Sequence, residues 1–225
     1  MTLIAGIDDA GRGPVIGPLV VAGVLVHDHQ IPSLKALGVK DSKALSPRRR
    51  RCLSKKIKDL VVSYTIVELS PKEIDEVVFR GKRLRKLNWL EAKAMAETIR
   101  RLHPDVAYVD AADVLEKRFG EQIREFLPFD VEIVSEHRAD VNYPVVSAAS
   151  ILAKTHRDRV VAELNEVYGD IGSGYTSDLR TRRFILEWFR TRGNEELPDF
   201  VRKSWKTIGK LREEAALTQT DLDKG

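Results

Sequence analysis

The order of short β-branched runs and longer helical patterns constrains the fold more than any other feature of this chain. Two apolar runs, Leu3 to Ile7 and Leu19 to Val26, come before any helical pattern. Three further runs lie between segments with helical spacing, namely Val61 to Val67, Val106 to Val109 and Val131 to Val134. Because strands alternate with helices and two strands precede the first helix, we predict an α/β fold, a mixed sheet flanked by helices.

Several helices have clear start signals or periodic apolar faces. Ser46 and Pro47 predict an N-cap followed by proline at the first helical position, opening a basic helix that reaches Leu60. Asp113 is interpreted as the N-cap of a helix that ends near Phe126. Helical spacing predicts three more helices, over Asn88 to Leu102, Tyr143 to Tyr168 and Asp178 to Arg190.

Composition favours a chain that folds without disulfides in a reducing compartment. Its 225 residues suit one large domain, or one domain with a small appendage. Cys52 is the single cysteine, so no internal disulfide can form. The longest apolar run, Val15 to Val26, is interrupted by glycine and proline and is too short to span a bilayer as a helix. With no signal peptide visible, we expect a cytosolic, cytoplasmic protein and no membrane partner.

Positive charge is clustered more strongly than the net charge of +4 and the pI of about 9.1 indicate. The clusters are Arg48 to Arg51 with Lys55 and Lys56; Arg80, Lys82, Arg83, Arg85 and Lys86; Arg180, Arg182 and Arg183; and Arg202, Lys203, Lys206, Lys210 and Arg212. Any one cluster taken alone is more typical of a solvated helix face than of a binding surface. Together, beside acidic motifs, they favour a polyanionic partner.

Acidic residues follow strands at several points of the sequence. Asp8 and Asp9 follow the first run, Asp110 follows the Val106 run, and Asp140 comes after the Val131 run. Adjacent strand residues point to opposite faces, so Asp8 and Asp9 would diverge unless the strand ended there. The glycines that follow favour such an ending, and we expect the first strand to end at these two residues. Phosphodiester hydrolysis by two Mg²⁺ ions needs such carboxylates on rigid strands. Each aspartate alone is equally typical of a cap or turn.

A set of local motifs resembles the signatures of one enzyme family. The motifs are Gly6 to Pro14 (GIDDAGRGP), Asp41 to Lys43, Tyr108 to Asp110, Glu136 to Asp140 (EHRAD), Tyr143 to Lys154, Gly172 to Asp178 and Ser204 to Thr207. They resemble type 2 ribonucleases H (ribonuclease HII), especially archaeal members, and they occur in order over nearly the whole chain. The resemblance implies a ribonuclease H-like fold: a five-stranded mixed sheet flanked by helices, with a C-terminal helical subdomain. It implies a catalytic domain over residues 1–170 and a helical substrate-binding region over residues 171–225.

The resemblance also implies an activity and a site. The four acids Asp8, Asp9, Asp110 and Asp140 would be catalytic and would bind two Mg²⁺ or Mn²⁺ ions. The substrates would be RNA–DNA hybrids and DNA duplexes containing single ribonucleotides, nicked on the 5′ side to leave 3′-hydroxyl and 5′-phosphate ends in ribonucleotide excision repair. A monomer is expected.

Further residues would contact the substrate in such an enzyme. The backbone of Gly11, Arg12 and Gly13 would contact the 2′-hydroxyl, which agrees with the close approach that glycine permits. Tyr175 would pack on the sugar after the ribonucleotide, and Lys43 would contact a phosphate near the cut. Without the resemblance, the same two side chains are typical of an ordinary loop aromatic and a solvated loop charge.

One departure from the family pattern concerns the second acid. The family usually has Glu where this chain has Asp9, which shortens the side chain by one C–C bond, about 1.5 Å. We expect reduced Mg²⁺-supported activity, with Mn²⁺ more forgiving because Mg²⁺ demands stricter geometry.

Three alternatives follow from the same residues. A hybrid-binding module of low or no activity would explain Asp9. Another two-metal enzyme, such as a junction resolvase or 3′ exonuclease, would share the acids but not the Gly11 to Gly13 motif with Tyr175. A non-catalytic partner-binding protein is the third: Gln219 to Leu222 resembles the first half of a sliding-clamp box, but the aromatic pair is absent.

Overall fold

A computed structural model of the protein describes residues 1–39, 45–80, 86–192 and 196–222. It contains a five-stranded mixed sheet in the order β3-β2-β1-β4-β5. The strands are β1 (Leu3–Ala10), β2 (Leu19–His27), β3 (Ser63–Leu69), β4 (Val106–Asp110) and β5 (Glu132–Glu136). β2 is antiparallel to β1 and β3, whereas β1, β4 and β5 are parallel. The predicted fold class and all five predicted strands are therefore confirmed.

Nine α-helices and one short 3₁₀ helix, Asp28–Gln30, occur in the described part of the chain. The α-helices are α1 (Ile31–Ala36), α2 (Pro47–Leu60), α3 (Pro71–Arg80), α4 (Lys86–Leu102), α5 (Glu116–Arg124), α6 (Ala139–Asn142), α7 (Pro144–Tyr168), α8 (Leu179–Arg192) and α9 (Lys206–Leu222). Of these, α1, α3, α6 and α9 were not predicted individually. α1 has six residues and α6 has four, too few to show a helical period in the sequence.

The two predicted helix caps have different outcomes. The Ser46 hydroxyl accepts a hydrogen bond from the backbone N–H of Arg49 at 3.3 Å, so this N-cap is confirmed. The Asp113 interpretation is wrong, because the N-cap of α5 is Leu115, which makes no side-chain cap bond. Asp113 instead accepts from the Leu115 N–H at 3.0 Å and from the Asn88 amide at 3.0 Å, as a buried acceptor in the loop before the helix.

The chain packs as two compact units that interleave along the sequence. The first comprises Met1–Ala10, Leu19–Leu69 and Lys82–Asp158, and the second comprises Gly11–Pro18, Ser70–Gly81 and Arg159–Gly225. The expected division at residue 170 concerns functional domains, which packing alone does not test, and it stays a prediction.

The first unit buries both faces of the sheet. One face packs on α7, α2 and α1 through Val20, Val24 and Val26 of β2 and residues such as Ile57 and Ile151. Gly6 lets β1 approach α7 closely, because a Cβ there would lie 2.2 Å from the backbone carbon of Val145. The opposite face packs on α4, where a Cβ on Gly23 would meet the Thr98 methyl at 2.4 Å. The first approach sets the distance between β1 and α7, and the second sets the distance between β2 and α4.

The second unit has its own apolar core. Ile185 and Phe189 of α8 pack with Ile208 and Leu211 of α9, and Ile16 is fully buried among them. Ile16 also forms an isolated antiparallel bridge with Val201. Over the described ranges, no helix combines the length and apolar composition needed to cross a membrane.

Candidate functional site

Two of the predicted acids lie side by side at the carboxyl edge of the parallel strands. The register of β1 and β4 pairs Ile7 with Val109, so the next residues, Asp8 and Asp110, are neighbours. Parallel partners point to the same face of the sheet, here the face that α7 covers. The strand order, which only tertiary pairing decides, therefore brings together two carboxylates that are far apart in sequence.

Asp8 sits in an environment that disfavours its charge. The side chain is buried, with an exposed fraction of 4%. Burial, together with the charges of Asp9 and Asp110, holds the pKa of the Asp8 carboxyl well above its usual range. Hydrogen bonding from Ser150 and the charge of Lys154 oppose this rise in pKa. The Lys154 ammonium donates to the Ser150 hydroxyl at 2.8 Å, so α7 supplies a polar chain that ends at Asp8.

Asp9 does not mark the end of the strand, contrary to the prediction. β1 continues to Ala10, with Asp8 paired to Ala22, Asp9 to Val21 and Ala10 to Val20 of β2. Strand alternation therefore starts the Asp8 and Asp9 side chains on opposite faces of β1, one residue before the strand ends at Ala10. Its charge still raises the pKa of Asp8, so the two carboxylates interact electrostatically. Its backbone N–H also donates to Asp8 Oδ1 at 2.7 Å.

Asp140 is presented by the short helix α6 and is connected to Asp110 through the backbone. Arg138 adopts a left-handed conformation, φ 58°, and turns the chain from β5 into α6. The N–H of Ala139 then donates to Asp110 Oδ1 at 2.9 Å. The Ser147 hydroxyl donates to the Asp140 carbonyl oxygen, which ties α6 to α7. Asp140 itself is buried, with an exposed fraction of 6%.

The donor chemistry of these residues fits a hard divalent cation. Carboxylate oxygens are the ligands that Mg²⁺ and Mn²⁺ prefer, and a bound cation would relieve the repulsion among Asp8, Asp9 and Asp110. In the described part of the chain, no three His, Cys, Asp or Glu side chains are close enough to form a ready-made metal cluster.

Sequence reasoning missed several residues at this edge. Glu136 of β5 is paired in register with Asp110 and accepts a hydrogen bond from the Tyr143 hydroxyl at 2.9 Å. Burial and the Glu136 carboxylate raise the pKa of Tyr143. Ser150 and Lys154 were quoted only as part of a motif, because helical spacing cannot show which face meets Asp8. Glu136 lies within the EHRAD motif, and this was its only signal.

The predicted substrate-contacting residues Gly11, Arg12, Gly13 and Tyr175 all belong to the second unit. Gly11 has φ 92°, a left-handed conformation that favours glycine. A Cβ placed on Gly13 would meet only the Tyr175 ring, at 3.7 Å, which is an ordinary contact distance. The structure thus brings the segment Gly11 to Gly13, called the glycine loop below, next to Tyr175. Tyr175 is exposed to 41%.

Arg202 was expected to be part of a charged face, and that expectation is wrong. Its exposed fraction is 0%, and its guanidinium donates to the carbonyl oxygens of Gly11 at 2.6 Å, Arg12 at 3.0 Å and Gly17 at 3.0 Å. Arg202, directly after the buried Val201, therefore carries its charge inward to the glycine loop, whereas Lys203 to Trp205 are partly exposed. A basic run gives no sequence signal for one buried member, so this residue could not be singled out.

Other basic residues have mixed environments. Lys43 lies outside the described residues, as do Lys82, Arg83 and Arg85, so their predicted roles stay predictions. On α2, the arginines Arg48, Arg49 and Arg51 are exposed, as a solvated or polyanion-binding face requires.

Comparisons with known proteins point to a single family. The family model described as Ribonuclease HII matches residues 5–208. A protein named Ribonuclease HII from Thermococcus onnurineus is 49% identical over 215 residues, covering 95% of this chain and 91% of the relative.

Solved structures agree. The crystal structure of the ribonuclease H2 from Pyrococcus horikoshii has a TM-score of 0.86 and 41% identity, covering 95% of this chain and 99% of that one. The structure of a PCNA:RNase HII complex from Archaeoglobus fulgidus matches with a TM-score of 0.82 and 44% identity, covering 93% of this chain and 96% of that one.

Proposed function

The chain belongs to the ribonuclease HII family, whose members are metal-dependent endonucleases with ribonuclease H activity. We propose the following substrate specificity and cleavage mechanism for it. It cleaves the RNA strand of RNA–DNA hybrids and nicks duplex DNA on the 5′ side of a single embedded ribonucleotide. The products carry 3′-hydroxyl and 5′-phosphate ends. The observation that carries the proposal is the placement of Asp8 and Asp110 on adjacent parallel strands.

Asp8, Asp9, Asp110 and Asp140 are the residues that would hold two divalent cations, Mg²⁺ or Mn²⁺. Bound there, the cations would activate water and compensate the charge on the leaving oxygen. The protein's own residues prepare the site: the Ala139 N–H fixes one oxygen of Asp110 at 2.9 Å, and the polar chain from Lys154 through Ser150 holds Asp8.

Recognition of the ribonucleotide falls to the glycine loop and Tyr175. The 2′-hydroxyl is what distinguishes RNA from DNA at a given nucleotide. Gly13 has open space apart from the Tyr175 ring, so backbone there is accessible to a ligand. Lys43 is proposed to contact a phosphate near the cut.

A sliding clamp is a further proposed partner. The relative from Archaeoglobus fulgidus, 44% identical, was solved as a PCNA:RNase HII complex. In this chain the segment Gln219 to Leu222 supplies only half of a clamp-binding motif. We expect the enzyme itself to be a monomer, which light scattering during gel filtration tests.

The test uses a labelled DNA duplex with one ribonucleotide, incubated with Mg²⁺ and separately with Mn²⁺, beside an all-DNA duplex. We expect a nick 5′ to the ribonucleotide that a chelator abolishes and that the all-DNA duplex lacks. Binding without cleavage in either metal would favour the hybrid-binding module instead. Cleavage of branched DNA or of free 3′ ends in preference to the ribonucleotide would favour another two-metal nuclease.

Gly13→Ala tests the glycine loop separately from folding. The added methyl meets no atom closer than 3.7 Å, so we expect the thermal midpoint to change little. If the backbone contacts the 2′-hydroxyl, the methyl obstructs that approach, and nicking at the single ribonucleotide should fall by about tenfold or more. Unchanged nicking would remove the loop from the proposed recognition.

Asp9→Glu tests the shortened acid. The variant restores the reach of about 1.5 Å that one C–C bond supplies. We expect higher Mg²⁺-supported activity and a smaller advantage of Mn²⁺ over Mg²⁺. An unchanged rate and an unchanged metal preference would show that Asp9 does not limit the enzyme.

A further inference from the structure

We propose that Arg202 is a positioning residue for ribonucleotide recognition, because it fixes the orientation of the peptide groups in the glycine loop. The inference deepens the proposed function and rests on it. It concerns a buried side chain that makes no contact with substrate and that the sequence placed among surface charges.

All three nitrogens of the Arg202 guanidinium donate hydrogen bonds. Nε donates to the Gly17 carbonyl at 3.0 Å, one terminal nitrogen to the Arg12 carbonyl at 3.0 Å, and the other to the Gly11 carbonyl at 2.6 Å. The planar fork of arginine can serve three acceptors in one plane, which the point charge of lysine cannot match. The side chain is fully buried, so these bonds are shielded from competition with water.

Trp205 extends the same arrangement by one peptide. Its indole N–H donates to the Gly13 carbonyl at 3.2 Å, and its ring centroid lies 5.0 Å from the Arg202 guanidinium carbon. Carbonyl oxygens of three consecutive residues, Gly11, Arg12 and Gly13, are therefore all held from the segment of residues 202–205.

Because the peptide group is planar, fixing the carbonyl groups of the glycine loop also fixes the directions of its N–H groups. In a trans peptide the N–H points opposite to the C=O of the preceding residue. No cis peptide bond occurs in the described residues. Holding the Gly11 and Arg12 carbonyls toward Arg202 consequently directs the N–H groups of Arg12 and Gly13 away from it. These two donors are the groups that a 2′-hydroxyl oxygen would accept from.

The segment that carries Arg202 is itself anchored by α3. The buried Asp75 carboxylate accepts the backbone N–H of Lys203 at 2.8 Å and of Ser204 at 2.9 Å, and also the Ser204 hydroxyl at 2.5 Å. Asp75 thus fixes the backbone directly after Arg202. This anchoring of the following backbone helps to keep the Arg202 side chain inside the protein, although it belongs to a basic cluster.

The experiment compares two affinities in the chain of 225 residues. Fluorescence anisotropy, with chelator present to prevent cutting, gives the Kd for a duplex with one ribonucleotide and for the same duplex in all-DNA form. Their ratio is the discrimination. Arg202→Lys keeps the charge but loses the fork, so we expect the ratio to fall by about tenfold while the all-DNA Kd stays within about twofold. The matched control is Ile185→Val, a fully buried change in the apolar core of the same unit, on α8.

A merely structural role would weaken both affinities together or would make Ile185→Val lose the same discrimination, and either result overturns the proposal. So does a wild-type ratio in Arg202→Lys. If that variant does not fold, Trp205→Phe removes only the indole donor to Gly13, and an unchanged ratio there is equally fatal. A wild-type protein that neither discriminates nor nicks would instead overturn the proposed function, and this inference with it.

Discussion

Gly6→Ala perturbs the closest approach between β1 and α7. A Cβ on residue 6 would lie 2.2 Å from the Val145 carbonyl carbon, 2.4 Å from its oxygen and 2.5 Å from the Val146 nitrogen. Ordinary contact begins near 3.4 Å, so the strand and the helix would have to separate by about 1.2 Å (3.4 minus 2.2). Both contacting groups are backbone, so no side-chain rotation can relieve the overlap. We therefore expect the free energy of unfolding to fall by about 3 kcal/mol or more, the upper end of the range for overpacked cores.

The assay is urea unfolding followed by far-ultraviolet circular dichroism. With a slope of about 3 kcal/mol per molar urea for a chain of this size, the midpoint should fall by about 1 M. Activity should fall as well, because Asp8 lies two residues along β1 and its partner Ser150 lies on α7.

The matched control is Gly209→Ala in α9. A Cβ there meets nothing within 4 Å, and alanine favours a helix over glycine by about 1 kcal/mol, so this variant should be slightly more stable than wild type. A Gly6→Ala midpoint equal to the wild-type midpoint would refute the close-packing argument.

Three further variants have expected outcomes that differ in kind. Asp8→Asn should raise the thermal midpoint of the metal-free protein near neutral pH, because burial penalises the charged carboxylate, yet it should abolish cleavage. Two arginines on α4 lower the pKa of Glu97 to about 2, so its stabilising effect is present above its ordinary pKa and is lost as the pH falls toward 2. At pH 7 we accordingly expect Glu97→Gln to unfold at a slightly lower urea concentration than wild type, with a free energy of unfolding lower by less than about 1 kcal/mol. The two midpoints should become equal as the pH falls toward 2. Asp113→Ala should cost about 3 kcal/mol in urea unfolding, since it leaves the buried Asn88 amide without its acceptor.

Elements with strong local signals could be predicted from the sequence. The five strands carry β-branched runs, and Ser46 with Pro47 carries a complete helix start. The Asp113 cap was wrong because an aspartate before a helix has the same local signal whether it caps the first turn or accepts bonds within the preceding loop. Short helices such as α1 and α6 could not be predicted because their apolar positions do not complete a period.

The sequence by itself indicated the family and the fold class, because strand patterns and signature motifs are local properties of the chain, whereas the catalytic role of the four acids stays a prediction. Tertiary structure alone decided that Asp8 and Asp110 are neighbours, since the register of β1 against β4 joins segments separated by a hundred residues. It also decided that Arg202 is buried while Lys206, Lys210 and Arg212 of the same basic cluster are exposed. The sequence shows that Arg202 is charged but not whether it is buried. Its burial depends on the carbonyl groups that the fold places around its guanidinium and on the Asp75 carboxylate that holds the backbone after it.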